Sequence, residues 1–384
     1  MKIIDILLNP VTCMLLGTTY YIVIPSIFFF NNYFGLSFIQ GVVSQYVDYQ
    51  SRDVYLLNIY DFVIINLSFI FGVVFSSFLK VNANEHDSSV VSSFKLTPRT
   101  IFLLLMFFLI FVLIKARLTG YQFFSGYSTY EISVLGPLAT LCFMSMWFYI
   151  YYHRSYFLLL FITVGIFLLG SGSRMFFLLP LMSLIINSVF NSPQKILKYF
   201  IVFIFSVSSM LLVGILREGN SISVDGLLTI LFAEPIFTSL GTLFYFNESR
   251  HAIGFPVDIL AAFVNFIPSF IYPDKVILLN SLTFSDDINN PLGAQSLLIN
   301  LYKNFGWFYP FFMIVLGFYF GILYKYKSNK LVYTIYVMSL PLVLLHFQRE
   351  GFITVFKVLF FNGLIFPVVL LFFFRLLYKR KRSE

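Results

Sequence analysis

Ile101-Phe-Leu-Leu-Leu-Met-Phe-Phe-Leu-Ile-Phe-Val-Leu-Ile114 contains no charged residue. Nearly continuous apolar runs of about 16–24 residues recur along the chain, which is close to the length that a helix needs to cross a bilayer. Charged residues make up 11% of the 384 residues, whereas soluble globular proteins carry about 25%. Because so few charges cannot cover a water-facing surface, lipid must surround most of this chain.

The backbone in lipid must satisfy its own hydrogen bonds, which leaves helices or a closed β-barrel. Barrel strands alternate apolar and polar residues, and the unbroken apolar runs exclude that pattern. The sequence therefore predicts an all-α polytopic integral membrane protein, a single transmembrane domain over residues 1–384 with roughly ten to twelve spanning helices. Ten spans are predicted at Pro10–Phe30, Val54–Leu79, Ile101–Ile114, Ser133–Tyr152, Ser155–Gly170, Met175–Asn187, Tyr199–Leu216, Gly306–Tyr324, Leu331–Phe347 and Thr354–Tyr378.

Basic residues predict the orientation of these spans. With the N-terminus inside, most Lys and Arg residues of the short loops and of the C-terminal tail are cytoplasmic, as the positive-inside rule requires. Both termini are then cytoplasmic, and the long segment 217–305 lies on the outer side. Two proline-interrupted apolar stretches, Leu227–Phe246 and Phe255–Tyr272, either span the membrane as a pair or dip into it. Such a long segment usually carries function.

Four arginines lie on the predicted outer side, against the charge rule: Arg174, Arg217, Arg250 and Arg349. Guanidinium groups bind phosphate bidentately and stay charged when partly desolvated, so this set predicts an anion site. In the alternative interpretation, each arginine extends to the lipid headgroups or pairs with a carboxylate. Arg174 follows a Gly-Ser-Gly-Ser turn at the start of a predicted helix, where backbone N–H groups also favour anions.

Acidic residues and histidines supply candidates for proton transfer. Glu218 and Glu350 each lie in an Arg-Glu-Gly tripeptide at the outer end of a predicted span. Each either neutralises its arginine or acts as a general base on a sugar hydroxyl. His251 is either catalytic or structural. Asp61 and Glu234 are ionisable groups within apolar runs, and such groups usually face a polar interior. The two cysteines and four histidines show no metal-ligand spacing, so no metal or other cofactor is predicted.

Three features together resemble O-antigen polymerases of the Wzy type. They are the Gly-Ser-Gly-Ser-Arg174 turn between short spans, the long outer segment, and Gly293-Ala-Gln-Ser-Leu-Leu-Ile-Asn-Leu-Tyr-Lys-Asn-Phe-Gly306 leading into a glycine-bearing span. That family joins lipid-linked oligosaccharide repeat units at the periplasmic face of the bacterial inner membrane. The likeness is mainly one of topology and order, and it covers more than the C-terminal half of the chain.

The resemblance implies a metal-independent glycosyltransferase with a fold similar to the GT-C class. The expected partners are an undecaprenyl-pyrophosphate-linked oligosaccharide, the lipid bilayer and a separate chain-length regulator protein, with no nucleic acid. In this hypothesis the four arginines named above bind the pyrophosphate, because fixed cations must stabilise the leaving group when no metal does so. Glu218 or Glu350 acts as the base, with His251 as a further catalytic candidate.

Three competing hypotheses fit the same topology less well. An O-antigen ligase would use the same donor with a lipid A-core acceptor, but its His-containing outer-loop signature is not evident. A flippase or other transporter predicts ionisable residues along the central helices and two related halves, whereas the ionisable groups here cluster at outer ends. A structural assembly partner does not account for the charged residues of the outer segment.

Overall fold

A computed structural model describes most of the chain, and all secondary structure in the described residues is helical. The described residues are 5–6, 8–44, 52–79, 98–124, 132–195, 197–199, 201, 204, 208, 224–248, 253–267, 272–275, 277–278 and 295–383. The prediction of an all-α fold is confirmed for these residues. The predicted span Tyr199–Leu216 lies mostly outside them.

Thirteen helices are numbered here in chain order. They are α1 Pro10–Phe30, α2 Ser37–Ser44, α3 Arg52–Ser77, α4 Pro98–Leu118, α5 Ile132–Tyr152, α6 Ser155–Gly170, α7 Met175–Asn191, α8 Val224–Glu248, α9 Val257–Phe266, α10 Leu297–Phe305, α11 Tyr309–Lys325, α12 Lys330–Arg349, and α13, which begins at Phe352 and ends at Ser383. The helices α1, α12 and α13 each contain a π-helical turn, at Thr19–Val23, Leu342–His346 and Lys357–Ile365.

Within the described residues, seven helices are long and apolar enough to cross a membrane. These candidate spans are Pro10–Phe30, Leu56–Ser77, Pro98–Leu118, Val134–Tyr152, Leu297–Lys325, Lys330–Arg349 and Phe352–Phe374. Four shorter apolar helices accompany them, at Ser155–Gly170, Met175–Asn191, Leu231–Leu243 and Val257–Phe266. The chain thus has the helices of a multi-pass membrane protein, and the total of ten to twelve spans stays a prediction.

The chain forms two compact units. Unit 1 contains Met1–Phe78, Phe200–Lys325 and Leu340–Lys357, and unit 2 contains Leu79–Tyr199, Tyr326–Ser339 and Val358–Glu384. Each unit is therefore assembled from segments that are distant in sequence. The prediction of one transmembrane domain over residues 1–384 stays a prediction.

The core of unit 1 contains a close crossing of α3 and α11. A Cβ atom on Gly317 would collide with the carbonyl oxygen of Phe69, and one on Gly72 would collide with that of Ile314. Small residues let the backbones of membrane helices approach closely, so that van der Waals packing replaces the hydrophobic effect that lipid cannot supply. Gly317, in the predicted span at Gly306–Tyr324, and Gly72 of α3 therefore serve this packing.

Asp61 of α3 is buried in the same unit. Its Oδ1 accepts hydrogen bonds from the hydroxyl groups of Tyr302 in α10, at 2.9 Å, and Tyr309 in α11, at 2.7 Å. These bonds satisfy a carboxyl group that would be costly among apolar helices. Asp61 therefore faces a polar environment rather than lipid, as expected from the sequence. Its two hydrogen bonds join α3 to α10 and α11.

In unit 2, α5, α6 and α7 pack side by side. The rings of Phe161 and Phe177 stack with centroids 5.1 Å apart, and a Cβ atom on Gly165 would collide with the Phe177 ring. Trp147 Nε1 donates a hydrogen bond of 3.1 Å to the carbonyl oxygen of Gly363. This packing fixes the ends of α6 and α7, and hence the turn that bears Arg174.

Candidate functional site

Three ionisable side chains meet at the end of α12, in unit 1, and we call them the Arg349 cluster: Glu234, Arg349 and Glu350. Nη1 of Arg349 lies 2.9 Å from Oε1 of Glu234, which belongs to α8. Nε of Arg349 lies 3.5 Å from Oε1 of Glu350. The side chain of Arg349 is 30% exposed, that of Glu234 is 40% exposed and that of Glu350 is 31% exposed. The cluster is therefore an ion-pair network whose three side chains are only partly buried.

Tyr21 extends the cluster to α1. Its hydroxyl donates a hydrogen bond of 2.6 Å to Oε1 of Glu234, the same oxygen that accepts from Arg349. Tyr21 is buried, and the hydroxyl of its neighbour Tyr20 donates to the carbonyl oxygen of Leu231 in α8. The two tyrosines thus fix the α8 turn that carries Glu234.

Two π-helical turns border the Arg349 cluster. Thr19–Val23 contains Tyr21, and Leu342–His346 ends three residues before Arg349. A π-helical turn inserts an extra residue into a helix and occurs frequently at functional sites. Here the two turns set the register that aims Tyr21 and Arg349 at one carboxylate.

The backbone of the Arg-Glu-Gly tripeptide is held by Gln295 and by Asn300 of α10. The N–H of Gln295 donates to the Arg349 carbonyl at 3.0 Å, and Nδ2 of Asn300 donates to the Glu350 carbonyl at 2.9 Å. Oδ1 of Asn300 accepts from the N–H of Phe352 at 3.3 Å. Asn300 is fully buried, so these bonds satisfy backbone groups that the break between α12 and α13 leaves without helical partners.

Gly351, the glycine of the tripeptide, lies close to the side chain of Gln295. A Cβ atom on Gly351 would collide with Oε1 of Gln295, so a larger residue would require the Gln295 side chain to move. Ser296 caps α10 by accepting from the N–H of Ile299 at 3.3 Å, and its hydroxyl is hydrogen-bonded to that of Thr242 in α8. The start of α10 is therefore fastened both to α8 and to the turn that carries Glu350.

The far end of α10 is fastened to α9 by a buried ion pair. Nζ of Lys303 lies 3.3 Å from Oδ1 of Asp258, with side chains only 13% and 3% exposed. Asn304 donates through Nδ2 to Oδ2 of Asp258 at 2.9 Å and accepts from its N–H at 2.9 Å. Asn304 thus satisfies Oδ2 of Asp258, and the ion pair with Lys303 is the contact of Oδ1.

The partly buried position of Glu350 favours proton uptake. Burial raises the pKa of Glu350 above its usual value; the positive charge of Arg349 opposes that shift, and the negative charge of Glu234 adds to it. A carboxylate with a raised pKa that is also accessible is suited to accept a proton from a hydroxyl group. Of the predicted bases, Glu350 has a position that the structure describes, and its arrangement is compatible with this chemistry.

Comparisons with known proteins identify no relative of the chain. No family model, curated protein or solved structure matches it. Its function is therefore argued from its own residues and their geometry.

Arg174 lies in unit 2, at the start of α7. The preceding turn depends on Gly172, whose φ of 85° belongs to the left-handed region that glycine adopts at little cost. Arg174 is half-buried, and among the described carboxylates none forms an ion pair with it. Its role in binding the pyrophosphate stays a prediction.

An aromatic segment after α4 lies against the same turn. The N–H of Phe124 donates to the Gly170 carbonyl at 2.8 Å, and the ring of Phe124 covers Gly170 while remaining 68% exposed. The ring of Phe123 packs on that of Phe167, with centroids 5.0 Å apart. An exposed ring such as that of Phe124 suits either stacking on a sugar or a place among the aromatic residues of a membrane interface.

The remaining predicted site residues lie outside the described residues: Arg217, Glu218, Arg250 and His251. Their roles in pyrophosphate binding and catalysis stay predictions. Arg349 has two carboxylate neighbours, which makes it a less available phosphate ligand than its position in the sequence suggests. A phosphate group would have to replace one of these carboxylates.

Glu234 is notable in the sequence because it is an ionisable residue within an apolar run, but the sequence does not predict its partners. Residue type does not distinguish Tyr21 or Asn300 in the sequence, because tyrosines and asparagines are common at the ends of membrane helices. Asn300 is distinguished only by its place in the Gly293–Gly306 segment that supports the family resemblance. Among the described residues no group of three His, Cys, Asp or Glu side chains could hold a metal ion.

Proposed function

We propose that the chain is an O-antigen polymerase, a glycosyltransferase that joins undecaprenyl-pyrophosphate-linked oligosaccharide units. The observation that supports this proposal is the Arg349 cluster, in which two carboxylates and one guanidinium are accessible in a chain with only 11% charged residues. Ionisable groups among membrane helices are costly and commonly mark functional sites. In this proposal the cluster lies at the periplasmic face of a bacterial inner membrane, and both termini are cytoplasmic.

The proposed reaction is a metal-independent displacement at a sugar carbon. A hydroxyl oxygen of the incoming lipid-linked unit attacks the anomeric carbon of the growing polymer, and the carbon–oxygen bond to the pyrophosphate breaks. Undecaprenyl pyrophosphate leaves with the bonding electron pair, and the hydroxyl proton passes to a carboxylate, for which Glu350 is the proposed base. General base catalysis of this kind contributes typically about 10²–10⁴-fold in rate.

Charge on the departing pyrophosphate needs fixed cations in this proposal. Of the two predicted arginines that the structure describes, Arg174 forms no ion pair with a described carboxylate, whereas Arg349 is shared between two carboxylates. Arg217 and Arg250 complete the proposed set. A total of ten to twelve spans, a GT-C-like arrangement and a separate chain-length regulator belong to the same proposal.

The test is the lipopolysaccharide ladder of a strain that lacks the gene. Loss of the ladder, with a core that carries a single repeat unit, would support polymerase activity. Bare core with accumulated long lipid-linked polymer would instead indicate a ligase. An unchanged ladder would contradict both and would favour a transporter or another polymer's pathway.

Complementation then connects this activity to the Arg349 cluster. The wild-type gene should restore the ladder, and Glu350→Gln, which removes the proposed base at almost constant size, should not. Asp274→Asn is the matched control, because Asp274 is an exposed carboxylate of the same unit. A normal ladder from Glu350→Gln would exclude Glu350 as the base.

A further inference from the structure

The two carboxylates of the Arg349 cluster are held differently. Oε1 of Glu234 accepts from the Tyr21 hydroxyl at 2.6 Å and from Nη1 of Arg349 at 2.9 Å. Among the described residues, the Glu350 carboxylate has one ion-pair contact, with Nε of Arg349 at 3.5 Å. That separation exceeds the roughly 2.7–2.9 Å of a charge-assisted hydrogen bond. Glu234 is therefore the tightly bound carboxylate, and Glu350 is the loosely bound one.

We propose that Tyr21 and Glu234 are positioning residues, which hold the Arg349 guanidinium so that Glu350 remains free to accept the proton of the acceptor hydroxyl. This inference rests on the proposed function and deepens it by assigning separate roles to the two carboxylates. Tyr21 acts through Glu234, and Glu234 acts through Arg349. Glu350 alone contacts the reacting group.

Geometry explains why the arrangement divides the roles in this way. The side chain of Tyr21 is buried and its π-helical turn is packed against α8, so its hydroxyl is a fixed donor. Two donors therefore converge on one oxygen of Glu234, the Tyr21 hydroxyl and Nη1 of Arg349. The Arg349 guanidinium is thereby drawn toward Glu234, and its neutralising effect on Glu350 is weakened.

The charged groups that act on Glu350, within the described part of the chain, are Arg349 from α12 and Glu234 from α8. The contact from α10 to the Glu350 backbone is the neutral amide of Asn300, and α1 acts through the Tyr21 phenol on Glu234. Replacing Glu234 with Gln removes a repulsive charge and frees Arg349 to pair with Glu350. Both changes favour the charged form of Glu350, so its pKa should fall.

Tyr21→Phe should shift Glu350 in the same direction by a smaller amount. Without the phenol, the Glu234 side chain is no longer fixed from α1, so it holds Arg349 less firmly and Arg349 can approach Glu350. Tyr60→Phe is the control. It removes a tyrosine hydroxyl from the same unit, but Tyr60 lies on α3 and its side chain is exposed.

The first readout is independent of any enzymatic activity. Infrared difference spectra of the full-length protein in lipid nanodiscs, recorded as a function of pH, report the protonated carboxyl band, and Glu350→Gln identifies the contribution of Glu350. We expect Glu350 in the wild type to titrate above the roughly 4.3 of an ordinary glutamate. Glu234→Gln should lower that midpoint, and Tyr60→Phe should leave it unchanged.

The second readout is polymer formation by the purified protein from lipid-linked repeat units extracted from the deletion strain. The acid limb of the rate–pH profile should move with the infrared midpoint in Glu234→Gln and Tyr21→Phe, which a merely structural role would not cause. Glu350→Asp, which keeps the carboxylate on a shorter side chain, should lower the rate while retaining a titrating group.

The two readouts separate the inference from the proposed function. An infrared midpoint that is identical in the wild type, Glu234→Gln and Tyr21→Phe would overturn the positioning roles, as would full polymer formation by Glu350→Gln. If the midpoints shift as expected but the wild type forms no polymer from the extracted units, the positioning network stands and the proposed function fails.

Discussion

Asn300 and Glu350 are joined by a hydrogen bond of 2.9 Å from the Asn300 side-chain amide to the Glu350 carbonyl oxygen. The same side chain accepts from the N–H of Phe352 through its other end. One buried amide therefore bridges the point where α12 ends and α13 begins. Because Glu350 lies at that break, Asn300 determines where the proposed base is held.

Asn300→Ala should destabilise unit 1 and abolish polymer formation. The substitution leaves a buried carbonyl and a buried N–H without their partner, which costs about 1–3 kcal/mol. Thermal unfolding of the purified protein in detergent measures the loss of stability. Asn191→Ala is the control, since Asn191 is exposed at the end of α7. Equal unfolding temperatures for both variants would contradict the bridging role of Asn300.

Gly317→Ala should separate α3 from α11. The new methyl group would occupy the space of the Phe69 carbonyl, and overpacking of this kind costs typically about 1–3 kcal/mol. Gly136→Ala is the matched control, because a Cβ atom at Gly136 in α5 meets no atom within 4 Å. The yield of monodisperse protein and its unfolding temperature should fall for Gly317→Ala and stay unchanged for Gly136→Ala.

Lys303→Met should be among the most destabilising single substitutions in unit 1. It leaves the charge of buried Asp258 uncompensated, and breaking a buried ion pair on one side costs about 3–5 kcal/mol. The double variant Asp258→Asn with Lys303→Met should recover part of that loss, because no isolated charge remains. Lys195→Met, an exposed position in unit 2, should change the unfolding temperature little. A double variant less stable than Lys303→Met would contradict this electrostatic account.

Arg174→Ala should abolish the lipopolysaccharide ladder in a complemented deletion strain, and Arg174→Lys should weaken it. The difference is expected because a lysine keeps the charge but not the planar, bidentate contact with phosphate. Arg117→Ala is the control, since Arg117 is exposed at the end of α4 in the same unit. Normal ladders from Arg174→Ala would remove Arg174 from the proposed pyrophosphate site.

The candidate site was only partly predictable. Arg349 and Glu350 stood out because charges are scarce and the tripeptide ends a predicted span. Glu234 stood out as an ionisable residue in an apolar run, yet nothing in the sequence connected it with Arg349, which lies 115 residues further along the chain. Tyr21 lies in a different helix again, and its role depends on the π-helical turn that aims its hydroxyl.

The sequence by itself determined the all-helical membrane class and the positions of most helices. Those properties follow from local hydrophobicity and length, because lipid forces each apolar run to satisfy its own backbone. Only the tertiary structure decided which helices meet and which polar groups pair. In lipid, burying an apolar helix face against another helix gains little free energy, because the lipid tails are equally apolar. The contacts between helices are therefore set by close fits, such as Gly317 on Phe69, and by polar pairs, such as Arg349 with Glu234. Fits of that kind exist only between helices that are already assembled.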